Sequence, residues 1–310
     1  MDQKMNVYIW DMDETLILVK SLLNKQFAES FNGSKNWVEG VSIGKSWENH
    51  VLQISDDHFF YEQIENFNMP YLDILSHYDD GRDLTDYDFN NDGFGPPVDD
   101  VNKRRLAYRH RTITEKYTKG LHTILNEDMR KSWEDLYEET DTYTDRWLSS
   151  ARACLEQCAS GNAELTPGDC SAVGANNGQG SKYQHVNVLV TSGALIPSLV
   201  KCLLFRLGDM IPCHNVYSSW DAGKIQCFKW IKERFSVQQN VQFCVIGDGW
   251  EECEAAEAMR WPFVKMDPSC STKYHRFPGL TPKHLDLYLA VVYENHNDDQ
   301  ENLKSPSETT

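Results

Sequence analysis

The sequence contains no stretch approaching the roughly 20 consecutive apolar residues that a membrane-spanning helix needs. Met1-Asp2-Gln3-Lys4-Met5 lacks the charged-then-apolar pattern of a secretory leader. The expectation is an intracellular protein, cytoplasmic or nuclear, with no membrane partner. Positive charge is also short, because 30 Lys and Arg stand against 47 Asp and Glu, a formal charge of −17 over 310 residues. That balance argues against a broad nucleic-acid or anionic-membrane surface, so no direct nucleic-acid partner is expected. The nine cysteines form no CxxC pair and no zinc spacing. The loop of thiol-dependent tyrosine phosphatases, a Cys followed five residues later by Arg through a glycine-rich turn, is absent too. Cys202, Cys227, Cys244 and Cys253 fall inside apolar segments, where free cysteine packs as a small hydrophobe. Thiol chemistry is therefore disfavoured. With 40% hydrophobic and 12% aromatic residues, the chain can bury a core without disulfides or a structural metal.

What is present falls into two textures. Short apolar runs at 5–10, 186–190, 215–217 and 241–246 have the length and composition of buried strands. After the second run, Leu195, Leu199, Leu203 and Leu207 recur every four residues, and Gly208 is expected to end that helix. Ile225, Phe228, Ile231 and Phe235 repeat the pattern after the third run, and the segment from Glu251 to Met259 after the fourth. Alternating strands and helices predict an α/β fold with a doubly wound parallel sheet. Between Lys20 and Gln184 helical spacing dominates instead. Trp47, Val51, Phe59, Phe60, Ile64 and Phe67 trace one helical region, and Leu106, Ile113, Tyr117, Leu121, Leu125, Met129 and Trp133 another. The expected organisation is a catalytic core at 1–19 and 186–294 and a large, mostly helical cap at 20–185 inserted after the first strand. An acidic Pro/Gly loop at 79–100, a mobile loop at 161–182 and a disordered acidic tail at 295–310 complete it.

The chemistry-bearing residues lie where the apolar runs stop. Val7 to Trp10 leads directly into Asp11-Met12-Asp13-Glu14-Thr15, which puts two carboxylates on one side of a strand end. Ligands of open α/β sheets bind at such ends, and a hard cation would relieve the repulsion between the acids. Asp-x-Asp alone is weak, since Asp86-Tyr87-Asp88 also occurs, but the apolar strand before Asp11 and Asp13 argues against a merely solvated acidic turn. The run 186–190 enters Thr191-Ser192-Gly193, whose hydroxyl and N–H groups suit a phosphate or simply cap a helix. Lys224 sits in a first helical turn, where it opposes the helix dipole, so an anion is expected beside it unless it is a free surface lysine. The run 241–246 ends in Gly247-Asp248-Gly249-Trp250-Glu251-Glu252. There Asp248 could complete a magnesium site with Asp11 and the backbone carbonyl of Asp13, while Glu252 orients a metal-bound water.

In this order and spacing the four motifs resemble those of haloacid-dehalogenase-type phosphatases, in the form used by the Eyes absent family. Val186 to Thr191, Leu195-Ile196-Pro197, Asn215 to Ser218, Asp92-Gly93-Phe94 and Tyr108-Arg109-His110-Arg111 strengthen the likeness, which runs from about Asn6 to Met266. The resemblance implies a Rossmann-like core with a helical cap and a magnesium (Mg2+)-dependent protein tyrosine phosphatase. Its substrate would be a phosphotyrosine-containing protein or peptide, with regulatory partners left open. Matching positions make Asp11 the nucleophile that forms an aspartyl-phosphate and Asp13 the general acid and base. Thr191, Ser192 and Lys224 would bind phosphate, Asp11, Asp13 and Asp248 would hold the metal, and Glu252 would stand behind them. The family usually has Thr at the Ser192 position and a smaller apolar residue at Trp250, so a narrowed pocket is expected. A phosphatase domain standing alone is similar to the plant type of the family. Two alternatives remain open, a phosphatase of small metabolites and a regulatory partner-binding module.

Three further signals are set aside. The segment from Asp88 to Asp99 nearly fits a calcium loop, but Pro96 and Pro97 occupy the start of the exiting helix and Glu is missing at the last ligand. Gly40 to Ser46 resembles a phosphate loop that is one residue short and follows no strand. Lys103, Arg104, Arg105, Arg109 and Arg111 could steer a phosphopeptide, yet a charged helix face is the plainer reading.

Overall fold

The computed structural model describes residues 4–160, 183–237, 240–269 and 275–293. The expected loop at 161–182 and the tail at 295–310 lie outside them. Five strands form one parallel sheet: β1 (Lys4–Trp10), β2 (Tyr183–Thr191), β3 (Val216–Ser218), β4 (Val241–Gly247) and β5 (Phe263–Lys265), in the spatial order β3-β2-β1-β4-β5. Four are the apolar runs of the sequence. The fifth has three residues, too few for a period to register, and adds an edge beside β4.

Eleven helices accompany the sheet among the described residues. Seven lie between β1 and β2: α1 (Val19–Leu23), α2 (Gln26–Glu29), α3 (Trp37–Phe59), α4 (Tyr61–Ile64), α5 (Asp100–Lys119), α6 (Glu127–Tyr143) and α7 (Trp147–Ser160). The others are α8 (Leu195–Leu204), α9 (Lys224–Phe235), α10 (Trp250–Met259) and α11 (Pro282–Tyr293). No helix of the described residues is long and apolar enough to cross a membrane.

Side-chain alternation along β1 explains why both sheet faces are covered. Met5, Val7 and Ile9 point into a cluster with Phe228 and Ile231 of α9 and Ala255 and Ala256 of α10. Tyr8 and Trp10 point the other way, into a larger cluster shared with α8, α11 and the helices that precede β2. That second core is continuous from the sheet into the inserted helices. The Trp47 ring of α3 lies 4.2 Å from Phe205, and Trp147 Nε1 donates to Thr15 O at 3.2 Å.

Three expectations are corrected in detail. Helix α8 stops at Leu204, not at Gly208, because Arg206 takes the left-handed conformation (φ 58°) and Leu207 N–H closes back on Cys202 O at 2.7 Å. Each of the two long helical regions is broken, at Phe60 (φ 59°) and at Gly120 (φ 77°). The basic run on α5 is a charged helix face only in part, since Arg104 is exposed whereas Arg109 is buried. Arg109 is 1% exposed and pairs with Asp92 at 2.8 Å, and Arg111 pairs with Asp79 at 2.8 Å, so these two arginines anchor the acidic loop. Gly40 to Ser46 lies inside α3, consistent with its rejection as a phosphate loop.

Candidate active site

Parallel pairing brings the ends of β1, β2 and β4 to one edge of the sheet, with Trp10 opposite both Leu189 and Ile246. Asp11 continues the ladder by one bond, its N–H donating to Ile246 O at 2.9 Å. Asp11 is 6% exposed, and its carboxylate accepts Lys224 Nζ at 2.7 Å on Oδ1. Lys224 opens α9 and also lies 3.0 Å from Glu252 Oε1. The cation that opposes the helix dipole is thus held by two buried acids.

Asp11, Asp248 and Glu252 each offer a carboxylate oxygen within 4.8 Å of the others. Thr15 Oγ1 sits between Asp11 Oδ2 and Asp248 Oδ1, at 3.5 and 3.4 Å. Glu252 folds back over the β4–α10 turn so tightly that a Cβ at Gly247 would meet its Cγ at 2.7 Å, and one at Gly249 its Oε2 at 2.8 Å. A side chain at either position would push Glu252 out of its place. Glu252, expected behind the metal ligands, therefore stands among the acids that could hold a cation.

Three acids around one ammonium leave surplus negative charge. Burial, aided by Glu252 and Asp248, pushes the Asp11 carboxyl up to about 7 against the pull of Lys224. Burial likewise raises Asp248, with Glu252 adding to it. Lys224 itself would be lowered by burial, but the Asp11 and Glu252 carboxylates outweigh that and hold its ammonium above the usual value. Oxygen donors with excess charge in a small volume suit a hard divalent cation, so the residues fit magnesium.

The two other predicted groups point elsewhere. Asp13 turns to Lys201 Nζ at 2.8 Å and stands outside the three-acid cluster. Ser192 is exposed and its Oγ lies 3.3 Å from Glu251 Oε2, whereas Thr191 is buried and its Oγ1 accepts the N–H of Gly193 at 3.2 Å. All seven predicted residues line one cavity of about 1160 Å³ that also contacts Trp47, Val51, Leu52 and Tyr61. Trp250, expected to narrow it, is 72% exposed at its rim. Sequence reasoning missed Lys201 and Glu251, and left Thr15 without a role. Thr15 stood in the quoted motif, but nothing local marks Lys201 on α8. Of the described cysteines six are buried and Cys253 is half-buried, burial raises Cys202 and Cys227 to about 12, and none of the described cysteines lines this cavity.

No family model matches the chain. It is 56% identical over 298 residues to Protein phosphatase EYA of Arabidopsis thaliana, covering 96% of this chain and 94% of that one. The chain belongs to the Eyes absent family of protein phosphatases. Protein phosphatase EYA2 of Homo sapiens is 32% identical over 276 residues and Protein phosphatase eya of Drosophila melanogaster 33% over 279. Both alignments cover 84% of this chain, which spans 47% and 33% of those relatives. L-2-haloacid dehalogenase from Xanthobacter autotrophicus overlaps 86% of this chain and 78% of its own at 14% identity and a TM-score of 0.32, too loose to support any inference. The α/β class of this Eyes absent protein rests instead on its parallel sheet, with motif residues at the strand ends as expected of a phosphatase of the haloacid dehalogenase type.

Proposed function

We propose that this Eyes absent protein is a magnesium-dependent protein tyrosine phosphatase with Asp11 as nucleophile, acting on phosphotyrosine in a protein or peptide. The observation that carries the reading is the 2.7 Å contact between Lys224 and the buried carboxylate of Asp11, inside a cavity that also holds Asp13, Ser192 and Asp248. On this reading the helices between β1 and β2 act as a cap over the sheet core, with Trp47, Val51, Leu52 and Tyr61 among the cap residues on the cavity wall. The expected boundary at 185 moves back, because Tyr183, Gln184 and His185 already pair with Lys4, Met5 and Asn6 in the sheet.

Asp11 and Asp248, with the Asp13 backbone carbonyl, would hold magnesium, and Glu252 stands close enough to join them. When bound, the ion neutralises charge on the phosphoryl oxygens. An Asp11 oxygen attacks phosphorus, the bond to the leaving phenolic oxygen breaks, and Asp13 gives that oxygen a proton. An aspartyl-phosphate on Asp11 results. Asp13 then takes a proton from water, which attacks phosphorus, releases phosphate and restores both carboxyl groups. Lys224 and Ser192 meet the charge on the transferred group throughout. Phenolates leave more readily than alkoxides, so phosphotyrosine is favoured over phosphoserine and phosphothreonine. Hydrolysis of matched phosphotyrosine, phosphoserine and phosphothreonine peptides, with and without magnesium, tests the reading. Equal rates on the three would replace it with a general phosphatase.

A further inference from the structure

Helix α8, which follows Thr191 and Ser192, starts without a cap of its own, since Ala194 offers no side-chain acceptor. Its first N–H is taken from far along the chain: Leu195 N donates to Asn68 Oδ1 at 2.8 Å. The same carboxamide donates from Nδ2 to Ser218 Oγ and to Asp221 Oδ2, both at 3.3 Å. Ser218 Oγ gives its only proton to Gly193 O at 2.7 Å, so it can meet Asn68 only as an acceptor. The amide orientation is therefore dictated, because a flipped side chain would set two donors face to face at Leu195. Pro70 O, two residues on, accepts Ser218 N–H at 2.8 Å. On the far side, Ser219 N and Oγ both donate to Thr191 O, at 2.8 and 3.1 Å.

Asn68 thus stands between two segments that the sequence sets well apart. One carries Thr191 and Ser192, and the other, from Ser218 to Gly223, feeds directly into Lys224 at the start of α9. We propose that Asn68 is a positioning residue for the phosphate grip: its carboxamide fixes the distance between the Ser192 hydroxyl and the Lys224 ammonium. It belongs to the segment between β1 and β2, so it also couples the seating of the inserted helices to phosphate affinity. A carboxamide suits the task, since one acceptor and two donors match one N–H and two oxygen acceptors. Aspartate would keep the contact to Leu195 N–H, lose both donors and face Asp221 as a like charge. The proposal rests on the phosphatase reading and adds to it a residue that touches no reacting atom.

The test uses the full chain with magnesium, p-nitrophenyl phosphate as substrate and inorganic phosphate as competing ligand, with thermal unfolding measured in parallel. Asn68→Ala and Asn68→Asp are each expected to raise KM and the phosphate inhibition constant together by about tenfold, with a smaller change in kcat, as loss of ground-state grip requires. Adding Asp221→Asn to Asn68→Asp exchanges donor and acceptor across the same contact and is expected to bring the inhibition constant back to within about threefold of wild type. If Asn68→Ala does not fold, the Asn68→Asp pair, which keeps the helix cap, carries the test. A lowered unfolding temperature with an unmoved inhibition constant, or a double variant no better than Asn68→Asp, would overturn the proposal and leave Asn68 a helix cap only. Wild-type protein that neither turns over the substrate nor binds phosphate would instead overturn the functional reading, and this proposal with it.

Discussion

Lys224 Nζ lies 2.7 Å from Asp11 Oδ1, a contact between residues 213 positions apart in the chain. Side-chain exposures of 3% and 7% mean that neither group can hand its charge to solvent. With Glu252 Oε1 3.0 Å from the same ammonium, three buried charges meet at one wall of the cavity, where each depends on its partners for neutralisation.

Asp11→Asn should leave the fold intact and remove essentially all turnover, because an amide neither attacks phosphorus nor binds a cation well. Asp248→Asn should mainly raise the magnesium concentration needed for half-maximal rate. Circular dichroism and a magnesium titration on both variants check this. A folded, active Asp11→Asn protein would remove the assigned nucleophile.

Excess chelator should stop hydrolysis and added magnesium should restore it, whereas iodoacetamide applied to the folded protein should have little effect. The described cysteines are buried or half-buried, and burial holds the Cys202 and Cys227 thiols at about 12. Turnover that survives the chelator and dies on alkylation would mean a cysteine nucleophile.

Lys224→Met leaves the carboxylates of Asp11 and Glu252 buried without a counter-charge, and losing one partner of a buried pair costs about 3 kcal/mol or more. Thermal unfolding of this variant should therefore show a lowered midpoint in chelator and a larger upward shift on adding magnesium than wild type shows. Equal midpoints in chelator would mean that the ion pair adds nothing to stability. Its kcat should fall by about 100-fold or more, since the charge that meets the transferred group is gone.

His110 offers a pH test away from the active site. It is fully buried, its Nδ1 lies 3.0 Å from Leu72 O, and burial lowers its pKa from 6.5 to about 4. A depressed folded-state value means stability that is complete above about 6.5 and is lost as the pH falls toward 4, roughly 3 kcal/mol in all. His110→Gln should flatten the acid side of a plot of unfolding free energy against pH between those limits. A variant with the wild-type slope would show that other groups set the acid sensitivity.

How much of this was legible in the chain follows from the range of each interaction. Strands β1, β2, β3 and β4 announced themselves because burial on both sheet faces demands continuous apolar runs, and Asp11, Thr191 and Asp248 were found because strand ends are where such sheets expose polar groups. Lys224 was suspected from its awkward place at a helix start. Each of these is a property of neighbours in sequence. The rest depends on which distant atoms come within 3 Å, and no local period encodes that. Only the folded chain turned Asp13 toward Lys201, brought Glu252 into the acid cluster with Lys224, and set Asn68 between the segments of Ser192 and Lys224. The same holds for the helix ends at Arg206 and Phe60, where tertiary packing outweighed a hydrophobic spacing that continued past them. Sequence by itself determined four of the five strands, their order of chemistry and the family. Tertiary structure decided the pairing of charges, because burial makes a charge depend on its partner, and the partners are brought together only by the fold.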